Sequence, residues 1–186
     1  MDPESKIYPV VTMSAPKPLP KESDWPIYIP VSVVIKAPRE KVWEVLMNFE
    51  AYPLWNPYIR DATVTDASKN PLRNDQISAG HKLVVKVQTP PTMDPTAKPP
   101  RTLAETVVHV APGHQLVYGS SPSTPRLLFG SQRWHVLSDV PGGTKYEIVS
   151  YMSGVGGSLA MMMMRKALVD GITAMAEGVK ARCERR

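Results

Sequence analysis

The most regular pattern of hydrophobic positions lies near the C-terminus, between residues 158 and 184. Large apolar residues recur there at spacings of three and four, which is the period of one face of an α-helix. They are Met161, Met164, Leu168, Ile172, Met175 and Val179. Charged residues fall on the opposite face, so this stretch is predicted to form one long amphipathic helix.

Small residues flank the apolar face of the predicted helix at Ala160, Ala167, Gly171, Ala174 and Gly178. An interior glycine costs a helix about 1 kcal/mol relative to alanine. Close packing against another backbone would offset that cost, so we expect the helix to lie tightly on a sheet. The methionines at 161–164 have two interpretations: they fill core space, or their flexible side chains line a ligand cavity.

Upstream of this helix, alternating apolar and polar residues predict an antiparallel sheet built from hairpins. Two turn sequences, Pro112-Gly113 and Pro141-Gly142-Gly143, are typical of tight connections between strands. Pro38 suits the first turn of a short helix, and a second short helix is expected near Glu50. The predicted strands are 29–35, 61–66, 81–88, 102–110, 115–119, 132–140 and 144–153.

This order of elements predicts an α+β domain with a helix-grip fold, in which a curved antiparallel sheet wraps around the long C-terminal helix. Two short helices follow the first strand. One helix cannot cover both faces of such a sheet, so we expect the sheet to curl and leave a cavity.

Two proline-rich segments interrupt this pattern. Residues 1–24 are expected to form an extended, partly disordered arm before a single domain at 25–186, with Tyr8, Val10 and Val11 as candidates for packing along it. Residues 89–101 contain five prolines and join two central strands. Loops of this length are usually functional or disordered, and we predict a lid or a dimer contact.

Composition narrows the classes of function. The net charge of +5 comes from scattered Lys and Arg residues, so nucleic-acid binding is not expected. The longest apolar run, 158–164, is too short to span a bilayer, and no apolar signal segment stands at the N-terminus. The single cysteine, Cys183, precludes an internal disulfide and favours a reducing, cytoplasmic location.

No motif for a metal or cofactor stands out. The four histidines, His81, His109, His114 and His135, do not occur at metal-ligand spacings. The sequence contains no Gly-x-Ser-x-Gly elbow, and the glycines at 154–157 lack the Lys-Ser/Thr of a phosphate loop. We therefore expect a protein that works without a metal or cofactor.

Several segments resemble a known superfamily. They are VVIKAPREKVWEVL at 33–46, YPLWNP at 52–57, VAPGHQLVY at 110–118, and GGTKYE at 142–147 with the following MSG at 152–154. Together they resemble the START-like, or Bet v 1-like, superfamily (SRPBCC) and most closely its polyketide cyclase/dehydrase branch. The resemblance covers roughly residues 29–184.

The resemblance implies a helix-grip domain that binds a hydrophobic or aromatic small molecule. The superfamily includes aromatase/cyclases, lipid carriers and plant hormone receptors, and it has no shared catalytic motif. One hypothesis is therefore a cofactor-free cyclase, dehydratase or isomerase acting on a polyketide-like molecule in an internal cavity. The alternative is a non-catalytic carrier of a hydrophobic small molecule or lipid. A homodimer is compatible with both hypotheses.

Polar residues on otherwise apolar strand faces are the candidates for chemistry, because buried polar groups need partners. Glu105 and His109 share an apolar face with Leu103 and Val107 and are the candidate proton acceptors. Tyr118 and Tyr146 are the candidate proton donors. The alternative is that Glu105 pairs with Arg133 or Lys82 in a purely structural role.

The candidate ligand-binding residues are Trp55, Tyr58, Gln132, Trp134, Ser150, Met152, Met161 and Met164. Trp55 and Tyr58 have a second interpretation as a packing pair that anchors the two short helices. The assignment of Gln132 and Trp134 to the inner face depends on strand parity, because a shift of one residue turns every side chain to the other face.

Overall fold

A long C-terminal helix lies against a seven-stranded antiparallel sheet in the computed structural model, which describes residues 14–185. The helices are α1 (Arg39–Met47), α2 (Tyr52–Trp55) and α3 (Gly154–Glu184). The strands are β1 (Ile27–Ile35), β2 (Ile59–Thr65), β3 (Lys82–Val87), β4 (Arg101–Ala111), β5 (Gln115–Gly119), β6 (Gly130–Val140) and β7 (Gly143–Ser153). Short 3-10 turns occupy Glu22–Asp24, Phe49–Ala51 and Asn74–Gln76. The predicted α+β class and helix-grip fold are confirmed.

The strands lie in the order β1-β7-β6-β5-β4-β3-β2. Strands β2 to β7 follow one another as neighbours, whereas β1 pairs with the last strand, so that Ile27 lies opposite Met152. The β6–β7 hairpin has a two-residue turn that places Val140 opposite Gly143. Gly142 in this turn has a φ of 82°, a conformation that glycine adopts without strain.

The main core lies between the inner face of the sheet and the C-terminal half of α3. Ile172, Met175 and Val179 of α3 are buried there against β1, α1 and β7, as the periodic pattern predicts. The N-terminal half of α3 is different, because Val155, Met162 and other apolar residues on it are exposed. The C-terminal half of α3 therefore packs against the sheet, whereas its N-terminal half, which we call the overhanging half, leaves apolar side chains exposed.

Helix α3 begins at Gly154, four residues before the predicted start. The backbone N–H groups of Val155 and Gly156 donate to the carbonyl oxygens of Leu127 and Leu128, at 3.1 and 2.9 Å. The connecting loop thus supplies acceptors that a capping side chain would otherwise provide. A Cβ at Gly154 would approach the carbonyl oxygen of Arg126 to 2.6 Å, so only glycine permits this contact.

The small residues of α3 accommodate aromatic rings. A Cβ at Gly171 would overlap the ring of Tyr58, and a Cβ at Gly178 would lie 3.1 Å from the ring of Trp55. The expectation of close backbone packing is therefore corrected: α2 and the residues after it place two rings against the helix. These rings fill the space that alanine side chains would occupy.

The outer face of the sheet carries a second apolar cluster, formed by Trp25, Val117, Trp134, Val149 and Tyr151. Residues 14–24 of the predicted arm lie across this face. The backbone N–H of Lys17 donates to the side-chain oxygen Oε1 of Gln115 at 2.8 Å, and Gln115 Nε2 donates to the backbone carbonyl oxygen of Lys17 at 2.6 Å. The Tyr151 hydroxyl donates to the carbonyl oxygen of Pro20 at 3.1 Å. Tyr8, Val10 and Val11 lie outside the described residues.

Alanine substitutions at the two helix glycines are expected to differ. Gly171→Ala should lower the free energy of unfolding by about 1–2 kcal/mol, because overpacking against Tyr58 outweighs the gain in helix propensity. Gly178→Ala is the matched control and should change it by less than about 0.5 kcal/mol, since the Trp55 ring needs to shift only slightly. Urea denaturation measures both. Equal stabilisation of the two variants would contradict the role of Gly171.

Candidate ligand cavity

A cavity of about 420 Å³ lies between the inner face of the sheet and the overhanging half of α3. Seven of the predicted site residues line it: Tyr58, Glu105, Gln132, Ser150, Met152, Met161 and Met164. Its wall also contains the apolar residues Leu103, Phe129 and Leu168, together with Ser120, Ser121 and Thr124. The cavity is therefore largely apolar, with a few polar groups directed into it.

Glu105, on β4, is the acidic group in the cavity wall. Its Oε2 atom is enclosed and has no hydrogen-bond partner within residues 14–185. Burial raises the pKa of this carboxyl group, and the positive charge of Arg133 only partly opposes the shift. Lys82, one of the two structural partners considered for Glu105, instead donates to the Thr106 hydroxyl at 3.2 Å. The carboxyl group of Glu105 therefore borders the cavity with a raised pKa and with no hydrogen-bond partner on Oε2.

Arg133, on β6, provides the opposite charge. Its Nε donates to the Ser150 hydroxyl at 3.3 Å, and its Nη2 donates to the Tyr58 hydroxyl at 3.4 Å. The guanidinium carbon lies 5.4 Å from the centre of the Tyr58 ring and 5.9 Å from that of Tyr118. A guanidinium group stays protonated at any physiological pH, so the cavity wall carries a permanent cation whose charge partly compensates that of Glu105.

A hydrogen-bonded chain of three aromatic residues lies behind Arg133 in the core. His135 Nδ1 is 2.7 Å from the Tyr146 hydroxyl, and His135 Nε2 is 3.0 Å from the Tyr118 hydroxyl. Burial and the nearby charge of Arg133 lower the pKa of His135 to about 3, so the ring is neutral. One ring nitrogen donates and the other accepts.

The predicted proton donors Tyr118 and Tyr146 therefore lie in this buried chain and outside the cavity wall. Burial raises the pKa of Tyr118 to about 12 and that of Tyr146 well above its ordinary value. Both hydroxyl groups already have a partner in His135. The structure corrects their predicted placement, and it brings the Tyr58 and Arg133 side chains to the cavity wall instead.

The predicted parity of β6 is wrong. Trp134 lies on the outer face in the second apolar cluster, 6% exposed, whereas Arg133 and His135 point inward. Gln132 borders the cavity, but its amide oxygen accepts a hydrogen bond from Trp134 Nε1 at 3.0 Å. The alternation of apolar residues along β6 does not distinguish its two faces, because the outer face of the sheet is also apolar where the arm covers it. Arg133 was consequently missed as a site residue.

His109 also lies away from the cavity. A β-bulge between Val107 and His109 shifts the pairing of β4 with β5, so that Val107 lies opposite Tyr118 and His109 lies opposite Val117. The extra residue turns His109 to the outer face, where its Nε2 lies 3.1 Å from the Ala15 carbonyl oxygen. The shared face predicted for Glu105 and His109 is therefore corrected.

Two interpretations were open for Trp55 and Tyr58, and two for the methionines at 161–164. In each group the structure places some residues in the cavity wall and others elsewhere. Tyr58 lines the cavity, whereas Trp55 packs against α3 at Gly178. Met161 and Met164 line the cavity, whereas Met162 and Met163 are 79% and 73% exposed. Met161 therefore belongs both to the core and to the cavity wall, Met164 belongs to the cavity wall, and Met162 and Met163 belong to neither.

The proline-rich loop after β3 folds back beside the cavity. Thr89 at its start and Arg101 at its end both belong to the cavity wall. The Thr92 N–H donates to the Pro57 carbonyl oxygen at 2.9 Å, next to Tyr58. This position is compatible with the predicted lid.

Within residues 14–185, no three or more His, Cys, Asp or Glu side chains come together as metal ligands would. None of the helices described here has both the length and the apolar character needed to cross a membrane.

Comparisons with known proteins extend these observations. Residues 27–184 match the sequence model of the family described as "Polyketide cyclase / dehydrase and lipid transport". No curated protein matches the chain.

Solved structures share the fold at low sequence identity. The Zhui aromatase/cyclase from Streptomyces sp. R1128 is 15% identical, with a TM-score of 0.62 over 86% of this chain and 94% of its own. A START superfamily protein from Mycobacterium smegmatis is 17% identical, with a TM-score of 0.57 over 84% of this chain and 97% of its own. The di-domain ARO/CYC StfQ from the steffimycin biosynthetic pathway is 13% identical, with a TM-score of 0.62 over 87% of this chain. The chain spans about half the length of StfQ, 52%.

The neutral His135 predicts a specific loss of stability in acid. Its folded pKa is about 3, whereas an unfolded histidine titrates near 6.5, so only the unfolded chain binds this proton between those values. The free energy of unfolding should therefore fall as pH drops below about 6.5, by up to roughly 1.4 kcal/mol per pH unit from this group. Urea denaturation of His135→Gln across this range should give a shallower slope. His114→Asn is the control, and a slope unchanged by His135→Gln would contradict the prediction.

The lid prediction concerns residues 89–100. Amide hydrogen exchange with and without the apolar dye anilinonaphthalene sulfonate should show increased protection in this loop, because a lid orders when the cavity fills. The comparison segment is the 66–80 connection, which does not belong to the cavity wall. Protection that changes at Met161 and Met164 but stays constant in the loop would exclude a lid.

Proposed function

The chain belongs to the polyketide cyclase/dehydrase and lipid transport family, and from this premise we propose that it closes a ring in, or dehydrates, a polyketide-like small molecule without a cofactor. The single observation that carries the proposal is the pair of opposed groups in one apolar cavity: the unpartnered carboxyl of Glu105 and the guanidinium of Arg133.

The cavity suits such a molecule in size and character. Its volume of about 420 Å³ falls within the range of roughly 300–1,000 Å³ that holds small organic ligands. Leu103, Met161 and Leu168 offer apolar surface to a flat carbon skeleton. The few polar groups are spaced along the wall, as an oxygen-bearing ligand would require for orientation.

Glu105 is the proposed general base. A carboxylate whose pKa is raised by burial is a stronger proton acceptor than a solvated one. It takes a proton from a carbon next to a ligand carbonyl, and the electrons of the broken C–H bond form an enolate. General-base catalysis of this kind typically contributes about 10²–10⁴-fold in rate.

Arg133 and Tyr58 are the proposed stabilisers of the enolate oxygen. Tyr58 is held against Gly171, and its hydroxyl fixes one side of the Arg133 guanidinium. Preorganised donors of this kind stabilise charge that develops in the transition state. The enolate carbon then attacks a second carbonyl of the same molecule, forming a C–C bond, and Glu105 returns its proton to the new alkoxide. Loss of water from this product gives the dehydrated ring.

A carrier is the second candidate, supported by the predominantly apolar wall and by lipid transport within the family description. A carrier needs the cavity but no proton transfer. Both candidate functions require the apolar wall for ligand binding. Only the cyclase requires Glu105 for turnover.

Single substitutions at the two charged residues test the proposal. Glu105→Gln and Arg133→Met should each lower turnover of a cyclisable poly-β-ketone more than tenfold, while ligand affinity changes by less than about threefold. Glu147→Gln and Arg73→Met are matched controls, since Glu147 pairs with Lys145 at 2.8 Å and Arg73 with Asp75 at 3.1 Å, outside the cavity wall. Turnover is followed by absorbance of the aromatic product, and binding by quenching of tryptophan fluorescence.

Glu105→Gln has a second expected effect. At pH 7 it should raise the free energy of unfolding by about 1 kcal/mol, because it removes a buried charge that lacks a hydrogen-bond partner. A raised carboxyl pKa favours the folded state below the ordinary glutamate pKa and disfavours it above the folded value. The gain should therefore disappear as pH falls below about 4. The cyclase proposal would be contradicted if a folded Glu105→Gln variant kept full turnover. It would also be contradicted if the native chain bound the ligand tightly but showed no turnover, and the carrier would then be the better interpretation.

A further inference from the structure

Six large apolar side chains are exposed on two adjoining segments that also contribute residues to the cavity wall. They are Leu127, Leu128, Val155, Leu159, Met162 and Met163, with exposed fractions between 51% and 79%. Single exposed apolar residues are common on soluble proteins, but a contiguous patch marks a surface that another body covers. We refer to these six residues as the rim patch.

The rim patch is one surface made from two adjoining segments. Val155, Leu159, Met162 and Met163 have the spacings of one helix face. Leu127 and Leu128 are tied to the start of that helix by the hydrogen bonds from Val155 and Gly156. The patch borders the cavity, since Met161 and Phe129, each adjacent in sequence to a rim residue, line its wall.

The two segments that carry the rim patch contain cations but no acidic residue of their own. Residues 119–138 and 154–169 contain no Asp or Glu, whereas Arg126 and Arg165 lie in these segments and are exposed. Lys166 is also exposed and pairs with Asp170 at 2.6 Å. An apolar surface flanked by cations complements a surface of apolar chains covered by anionic head groups.

From this arrangement we propose that the rim patch docks onto an anionic phospholipid bilayer, which places the cavity mouth at the membrane surface. A second copy of the chain fits less well, because a symmetric contact would bring the same cations together. The helix backbone is satisfied internally, so this face enters the head-group region without exposing unpaired polar groups. The membrane-docking proposal depends on the proposed function in one respect: it requires that the cavity bind a hydrophobic ligand.

Vesicle co-sedimentation of the full chain tests the proposal. The native protein should sediment with vesicles of phosphatidylcholine and phosphatidylglycerol, and much less with vesicles of phosphatidylcholine alone. The double variant Met162→Ser/Met163→Ser should lower the partition coefficient at least about tenfold, since it removes the two most prominent rim side chains on the helix. Leu54→Ser is the matched control, because Leu54 is 73% exposed but lies on α2, outside the rim patch.

Charge is tested separately. Arg165→Glu and added salt should each weaken binding to the anionic vesicles several-fold. Circular dichroism melting confirms that each variant is folded. Equal binding to both vesicle types, absence of binding to either, or a native dimer that the serine variant dissociates would each overturn the proposal.

The two proposals fail in different ways. If the docking surface is wrong, vesicle binding is lost or insensitive to the rim variants while the Glu105→Gln effect on turnover persists. If the cyclase chemistry is wrong, Glu105→Gln keeps full turnover while the serine variant still lowers vesicle binding.

Discussion

The contact between Tyr58 and Gly171 is the one on which the cavity depends. The ring lies where the side chain of any other residue would stand, so it fixes the distance between α3 and the strand that follows α2. The same ring presents its hydroxyl to Arg133 and thereby orients the cation of the cavity. A glycine that weakens the helix locally therefore sets both the depth of the cavity and the direction of its main polar group.

Satisfied and unsatisfied polar groups are separated on the inner face of the sheet. Tyr118, His135 and Tyr146 complete one another's hydrogen bonds and form a rigid polar part of the core. Glu105 has no such partner on Oε2. Buried polar atoms without partners are uncommon because they reduce stability, and they occur where a ligand or a reaction supplies the missing contact. This difference is the reason why we propose a role in proton transfer for Glu105 and not for the tyrosines.

The sequence predicts the elements well because their signals are local. The period of α3, the turns at Pro112-Gly113 and Pro141-Gly142, and the proline before α1 all depend on near neighbours in the chain. The two-residue turn also contains the information that was missed for β6. It places Arg133 opposite Ser150, so an inward Ser150 requires an inward Arg133. The bulge that turns His109 outward has no comparable signature, and the arm that covers Trp134 acts from about a hundred residues away.

The pairing of β1 with β7 has a consequence for the newly made chain. Strand β1 leaves the ribosome first, but its partner follows only after about a hundred residues, which takes roughly 5–20 s at ordinary rates of synthesis. Throughout that interval a segment rich in Ile and Val has no native neighbour, and such segments associate readily with other strands. Pro30, in the middle of β1 and opposite Val149 in the finished sheet, lacks the N–H that a foreign strand would need. A proline at the edge of the sheet thus disfavours the pairing of β1 with a foreign strand before β7 has been made.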